Sequence, residues 1–104
     1  ITDQGARKLS RPDTGLKGLV QLDLERTALT DDGFAAICSR GSGLGELEEL
    51  YVSGTKVTDL GIQRIAATGS GLARLRVLSL ENTAVTAEGV KLAEKCFPNA
   101  RISR

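Results

Sequence analysis

The sequence predicts an α/β fold, a right-handed solenoid with a parallel β-sheet on its concave face and helices on its convex face. A 28-residue pattern occurs three times in register, in residues 19–46, 47–74 and 75–102. Within each copy the apolar residues recur first at every second position and then at every third or fourth. Because these are the periods of a strand and a helix, each copy predicts one strand followed by one helix.

Identities between the first two complete copies support the repeat. They agree at 11 of 28 positions without a gap, including the whole GSGL block, whereas chance would give about two. A part copy is predicted in residues 1–18, since Thr2 lies 28 residues before Thr30 and the glycines three positions further on agree as well. Residues 1–104 are therefore interpreted as one domain, and a start within a repeat predicts a piece of a longer protein.

The first half of each copy has the signature of a strand. Its pattern, L-x-x-L-x-[LV], places alternate apolar residues on one side of a short strand. The predicted inward residues are Leu22, Leu24, Leu50, Val52, Leu78 and Leu80.

The second half has the signature of a helix of about ten residues. It opens with Thr30, Thr58 or Thr86, which suit a helix N-cap, and acidic residues follow where the helix dipole favours them. The predicted buried positions are Phe34, Ile37, Cys38, Ile62, Ile65, Ala66, Val90 and Ala93. Glycine in the GSGL block suits the helix end, and the leucine of that block, Leu44 or Leu72, is predicted to point inward.

The string L-x-x-L-x-L-x-x-T-x-[LV]-T-x-x-G resembles the leucine-rich repeat, and it recurs over nearly the whole chain. The 28-residue period is similar to the ribonuclease-inhibitor-like class. The ending LAEKCFPNA resembles the cysteine-containing class found in substrate receptors of ubiquitin ligases. Where the family usually has Asn or Cys after the strand, this sequence has Thr27, Thr55 and Thr83, whose hydroxyls are predicted to bond neighbouring backbone.

Stacking of the repeats determines which face is concave. Parallel strands lie about 4.8 Å apart whereas packed helices need about 8 to 10 Å, so the sheet takes the inside of the bend. Side chains that point outward from the sheet then form a surface open to a partner. The candidate partner-binding residues are Gln21, Asp23, Glu25, Glu49, Tyr51, Ser53, Arg76, Val77, Ser79 and Glu81.

Tyr51 is the only tyrosine of the chain and is the predicted anchor of this surface. Five acidic residues, including Glu48, and two basic residues, Arg26 and Arg76, fall on or beside the predicted strands. This mildly acidic face favours a partner with basic groups. Solubility alone also explains such charges, so that interpretation stays open.

The composition argues against an enzyme and against a bound metal or cofactor. The chain has no histidine, which removes the usual triad, the imidazole base and His-containing zinc sites. The adjacent acids at 31–32 and 48–49 are assigned structural roles, and the GSG blocks follow helices, whereas phosphate loops precede them. Three aromatic residues and a net charge of +1 also disfavour nucleic acid as a partner.

The two cysteines, Cys38 and Cys96, are predicted to be free, because helices two repeats apart are beyond disulfide reach. Reduced thiols favour an intracellular, cytoplasmic location. No run approaches the roughly 18 apolar residues of a membrane span, so no membrane association is predicted.

The main functional hypothesis is a non-enzymatic interaction module that binds a partner protein or peptide on the concave sheet. A second hypothesis is a structural segment of a longer solenoid or assembly, which would associate end to end through uncapped repeats. A third, implied by the resemblance to ubiquitin-ligase receptors, is the substrate-recognition region of an F-box-like receptor.

Overall fold

The computed structural model describes residues 3–11 and 18–104, in which helices and strands alternate along the chain. The helices are α1 Asp3–Leu9, α2 Asp31–Cys38, α3 Asp59–Thr68 and α4 Ala87–Cys96. The strands are β1 Gln21–Asp23, β2 Glu49–Tyr51, β3 Val77–Ser79 and β4 Arg101–Ser103. In the part copy predicted for residues 1–18, α1 occupies the helix position, while Thr2 and residues 12–17 lie outside the described residues.

The four strands form one parallel sheet in the order β1-β2-β3-β4. Equivalent positions are paired, so that Leu22 lies beside Leu50, Leu50 beside Leu78, and Leu78 beside Ile102. These middle residues point toward the helices, and Leu50 and Leu78 are fully buried. The predicted arrangement of parallel strands alternating with helices is confirmed.

One hydrophobic core runs between the sheet and the helices, from Ala6 in α1 to Phe97 after α4. The inward residues predicted on the strands are buried, apart from Leu22, which is half-buried. Leu44 and Leu72, from the two GSGL blocks, are buried as predicted. Each repeat therefore packs on its neighbours, which is the basis of stability in a solenoid.

Ala66 was predicted to face the core but is exposed. The buried side of α3 runs through Gly61 and Ile65, which are four residues apart, with Ile62 beside them. Ala66 lies one position further round the helix and points away from the sheet. The predicted stripe was therefore too wide on this helix.

Consecutive helices are joined by a repeated carboxylate contact. The carboxylate of Asp31, in the first turn of α2, accepts hydrogen bonds from the backbone N–H of Thr58 at 2.7 Å and from its hydroxyl at 2.6 Å. Equivalent pairs are Asp3 with Thr30 and Asp59 with Thr86. Each carboxylate thus serves donors at the N-terminus of the next helix, where backbone N–H groups have no partner within the helix.

Asp3 shows the electrostatic effect of this contact. Burial acts to raise its pKa, but hydrogen bonds from Thr30 and Gly33 and the charge of Arg7 outweigh burial and hold the pKa below its usual value. The charged form of the carboxylate is therefore the one that the contact stabilises.

The three threonines are the N-cap residues of their helices, as predicted, but their hydroxyls act mainly between repeats. The Thr58 hydroxyl also accepts a hydrogen bond from the N–H of Leu60 at 3.1 Å, within its own helix. The hydroxyls of Thr30 and Thr86 make no such bond. The acidic residues after them likewise do more than complement a helix dipole.

The glycine three positions after each N-cap makes room for the carboxylate of the preceding repeat. A Cβ atom at Gly61 would lie 2.6 Å from Asp31 Oδ1, and one at Gly33 would lie 2.5 Å from Asp3 Oδ1. The motif T-D-x-G therefore recurs because its threonine and glycine meet the aspartate of the repeat before.

The turn after each strand is held by its threonine, which confirms the predicted backbone role. The hydroxyls of Thr27, Thr55 and Thr83 donate to the carbonyl oxygens of Leu24, Val52 and Leu80 at 2.7 to 2.8 Å. The residue before each threonine has a positive φ, with values of 58° at Arg26, 72° at Gly54 and 57° at Asn82. Of these three residue types, glycine alone adopts this region without a steric cost.

Strand β4 begins earlier than the 28-residue step predicts. Arg101 pairs with Val77, 24 residues before it, and this copy lacks the GSGL block. Phe97, which is 3% exposed, fills the core at the end of α4 and allows a shorter connection. The third copy therefore ends before residue 101 rather than at 102, and β4 already belongs to the next strand position.

Candidate functional site

The concave face is the side of the sheet turned away from the helices, and its residues form rows across the strands. One row is Gln21, Glu49, Val77 and Arg101, and the next is Asp23, Tyr51, Ser79 and Ser103. Glu25, Ser53 and Glu81 continue the pattern just beyond the strand ends. These rows contain the residues that alternation along the strands predicts, together with two residues of β4.

Tyr51 lies at the centre of this face and is half-buried. Its hydroxyl donates a hydrogen bond to the carboxylate of Glu49, two residues earlier on the same strand. That bond, together with partial desolvation and the charges of Glu49, Asp23 and Glu25, raises the pKa of Tyr51 above its ordinary value. The phenol is therefore neutral at physiological pH, and the bond to Glu49 restrains the ring.

Ser53 and Ser79 differ from the prediction, since both are buried within the face rather than open to a partner. They are 8% and 5% exposed, and their hydroxyls are hydrogen-bonded to each other. Ser79 Oγ also donates to Glu81 Oε1 at 3.1 Å, and Ser103 Oγ lies 3.4 Å from the same oxygen. Their small side chains lie below their longer neighbours, and the serines thereby hold the Glu81 carboxylate in position.

An open hollow of about 570 Å³ lies at the C-terminal ends of β1, β2 and β3. Its lining comprises the acids Asp23, Glu25 and Glu81, the small residues Ser53 and Gly54, and the longer Arg26 and Asn82. The Asp23 carboxylate also accepts the backbone N–H of Glu25 at 3.0 Å. With three carboxylates and one guanidinium, this acidic hollow favours a cationic group.

A second hollow, of about 600 Å³, lies at the opposite ends of β3 and β4. Arg76, Val77 and Arg101 line it together with residues 98–100. Arg76 forms an ion pair with Glu48 at 2.9 Å, in which the arginine side chain is 67% exposed. Sequence reasoning missed Arg101 because the shortened third step hides its equivalence to Val77. This basic hollow favours an anionic group.

Two further hollows lie on the helix side of the molecule. One lies between α3 and α4 beside Asp59, Lys91 and Lys95. The other lies over α2, between Arg7, Arg40 and Arg64. Neither contains a residue that the sequence pattern marks for binding.

The cysteines of the chain lie on the helix side and are free thiols. Burial raises the pKa of Cys38, with a further contribution from the nearby Cys96, and burial also raises the pKa of Cys96. Both are therefore protonated and weakly nucleophilic at neutral pH.

Metal and membrane sites were sought in the same residues. Within residues 3–11 and 18–104, no group of three or more His, Cys, Asp or Glu side chains is arranged to hold a metal ion. In that part of the chain, no helix is long and apolar enough to cross a membrane.

Parallel strands in register, one helix between each pair of strands and a charged sheet face opposite the helices define an α/β solenoid protein. The family model of the Leucine Rich repeat matches residues 47–66, which contain β2 and most of α3. Because the matched unit recurs along the sheet, the chain belongs to the leucine-rich repeat superfamily, and its subclass stays a prediction. Repeats of this family generally form protein–protein interaction modules and are typically non-enzymatic. Comparison with curated proteins gives no match.

Proposed function

We propose that this chain is a non-enzymatic module that binds a partner protein or peptide on its concave face, with Tyr51 as the anchor. The observation that carries the proposal is one aromatic ring, restrained at the centre of a charged face. Binding hot spots are enriched in tyrosine and lie near the centre of interfaces, with less important contacts around them. Because the bond to Glu49 restrains the ring before binding, less side-chain entropy is lost when a partner arrives.

The reactive groups of the chain support binding rather than catalysis. The chain has no histidine, and its two thiols are protonated at neutral pH. The Asp31 carboxylate, one member of an adjacent acidic pair, is bonded to Thr58 of the next repeat. These groups serve the packing of the repeats.

The partner is expected to carry basic groups that face the acidic hollow of Asp23, Glu25 and Glu81. Complementary charges speed encounter and reject wrong partners more than they raise affinity. The association rate should therefore fall as the salt concentration rises, because salt screens charges at the surface.

The proposal is tested by selecting binders from a randomised peptide display library with the wild-type protein. Tyr51→Ala removes the anchor from the concave face. Leu60→Ala is the matched control, because Leu60 is 63% exposed in the first turn of α3, on the helix side. The selected peptides should bind Tyr51→Ala more weakly by over about 1 kcal/mol, which is roughly fivefold, and bind Leu60→Ala normally. Peptides that bind Tyr51→Ala as tightly as wild type would contradict the proposal.

A further inference from the structure

The charges of the concave face are separated along the strand direction. Arg76 and Arg101 lie at the N-terminal ends of β3 and β4, around the basic hollow. Glu25 and Glu81 lie beyond the C-terminal ends of β1 and β3, around the acidic hollow. The face therefore has a basic end and an acidic end, and the row of Tyr51 lies between them.

The separation of the two ends can be expressed in residues of an extended chain. Val77, beside the basic hollow, and Glu81, in the acidic hollow, are four residues apart, or about 13 Å along a strand. In an extended peptide, side chains at positions i, i+2 and i+4 point to the same side and span the same length. Such a peptide can present one side chain to each hollow and a middle one to the row of Tyr51.

The acidic hollow has the dimensions for one cationic side chain. Glu25 and Glu81 belong to the first and third strands, so their backbones lie about 9.6 Å apart, with the small Ser53 between them. Ser79 and Ser103 hold the Glu81 carboxylate from one side. A guanidinium between the two carboxylates would meet acceptors on both sides, which is the arrangement arginine binds best.

We propose, on the basis of the function proposed above, that the occupant of the concave face is an extended peptide segment with an acidic and a basic side chain four residues apart. The acidic side chain lies against Arg101 and the basic one between Glu25 and Glu81. The residue midway between them is apolar and lies on the ring of Tyr51. Spacing of the two charges, and not their mere presence, selects the partner.

The test uses acetylated nine-residue peptides of identical composition. In one pair, glutamate and arginine stand four residues apart with leucine midway, in both sequence orders. In the control pair their spacing is three, which puts the two charges on opposite sides of an extended chain. Binding is followed by amide chemical shifts of the labelled protein at low ionic strength, where surface charges are least screened.

We expect the better of the two four-spaced peptides to bind about three- to tenfold more tightly than either three-spaced peptide. Arg101→Gln and Glu81→Gln should each remove that preference. Arg74→Gln should keep it, because Arg74 pairs with Glu46 away from the strands.

The possible results separate this inference from the proposed function. Equal affinity of all four peptides, with shifts confined to the concave face, would overturn the spacing rule and leave the proposed function intact. Shifts confined to the helices for every peptide would contradict both. Absence of binding by any peptide would overturn the spacing rule, while the selection experiment with Tyr51→Ala still decides the proposed function.

Discussion

Tyr51 and Glu49 form a pair whose titration can be followed directly, since the chain has one tyrosine and no tryptophan. The hydrogen bond to Glu49 favours the neutral phenol, so the absorbance change on ionisation should have its midpoint above the ordinary tyrosine value of about 10. Because the pKa is raised in the folded state, this stabilisation is complete below pH 10 and is lost as the pH rises through the folded pKa.

The matched variants for this titration are Glu49→Ala and Glu46→Ala. Glu49→Ala removes the acceptor and the nearest charge and should lower the pKa of Tyr51. Glu46, which pairs with Arg74 at 2.8 Å, is not among the charges that raise the pKa of Tyr51, so its replacement should leave the midpoint unchanged. A wild-type midpoint at the ordinary value would refute the bond between Tyr51 and Glu49.

Arg26 lies in a backbone region that suits glycine, with φ of 58°. The left-handed conformation costs a residue with a Cβ atom about 1 to 2 kcal/mol, and the greater flexibility of unfolded glycine offsets part of that gain. Arg26→Gly should therefore raise the free energy of unfolding by about 0.5 to 1 kcal/mol in denaturant titrations.

The control for Arg26→Gly is the reverse change at the equivalent turn. Gly54→Ala introduces a Cβ atom at φ of 72°, and that atom would lie 3.2 Å from Arg26 Cγ. It should lower the free energy of unfolding by about 1 kcal/mol or more. If Arg26→Gly destabilises the protein instead, the proposed strain at this turn is wrong.

At the scale of elements, the junction between α2 and α3 depends on Asp31 and much less on its neighbour Asp32. Asp31→Ala leaves two donors of Thr58 without their acceptor and should cost about 1 to 3 kcal/mol. Asp32→Ala removes only an ion pair with Arg64, in which both side chains are more than half exposed, and should cost less than about 1 kcal/mol. Urea unfolding of the two variants compares them, and equal losses would contradict a special role for Asp31.

Gly61 provides a second test of the same junction, because the expected sign is unusual. Glycine to alanine within a helix normally stabilises by about 1 kcal/mol. Here the new Cβ atom would meet Asp31 Oδ1 at 2.6 Å, so Gly61→Ala should destabilise by about 1 to 3 kcal/mol. In an Asp31→Ala background the same change should become neutral or stabilising. Stabilisation by Gly61→Ala with Asp31 present would show that the carboxylate does not occupy this position.

These helix junctions were predicted only in part from the sequence. Thr30, Thr58 and Thr86 were assigned as N-caps by local rules, and the acids after them were assigned to the helix dipole. Such rules consider one helix at a time, whereas the Asp31 carboxylate acts on the following helix. The available signal was the recurrence of threonine, aspartate and glycine at a fixed 28-residue step, which brings equivalent positions of neighbouring repeats together.

For the whole molecule, the repeat period determined most of the fold and most of the candidate site. A constant step between equivalent leucines requires strands in register, so the rows that contain Asp23, Tyr51 and Glu49 follow from alternation alone. Arg101 escaped prediction because the last step is four residues shorter, and Phe97 replaces the missing block. Exposure was harder to predict, since burial of Ser53 depends on the length of the side chains beside it.

The central claim is that a partner binds the concave face around Tyr51, and the fluorescence of this tyrosine tests it most directly. With no tryptophan in the chain, emission near the tyrosine maximum comes from one ring, next to Glu49. A selected peptide without tyrosine or tryptophan is titrated into the protein, while calorimetry measures its binding independently. The emission of Tyr51 should change and saturate with the calorimetric Kd. Calorimetric saturation with unchanged emission would contradict the claim.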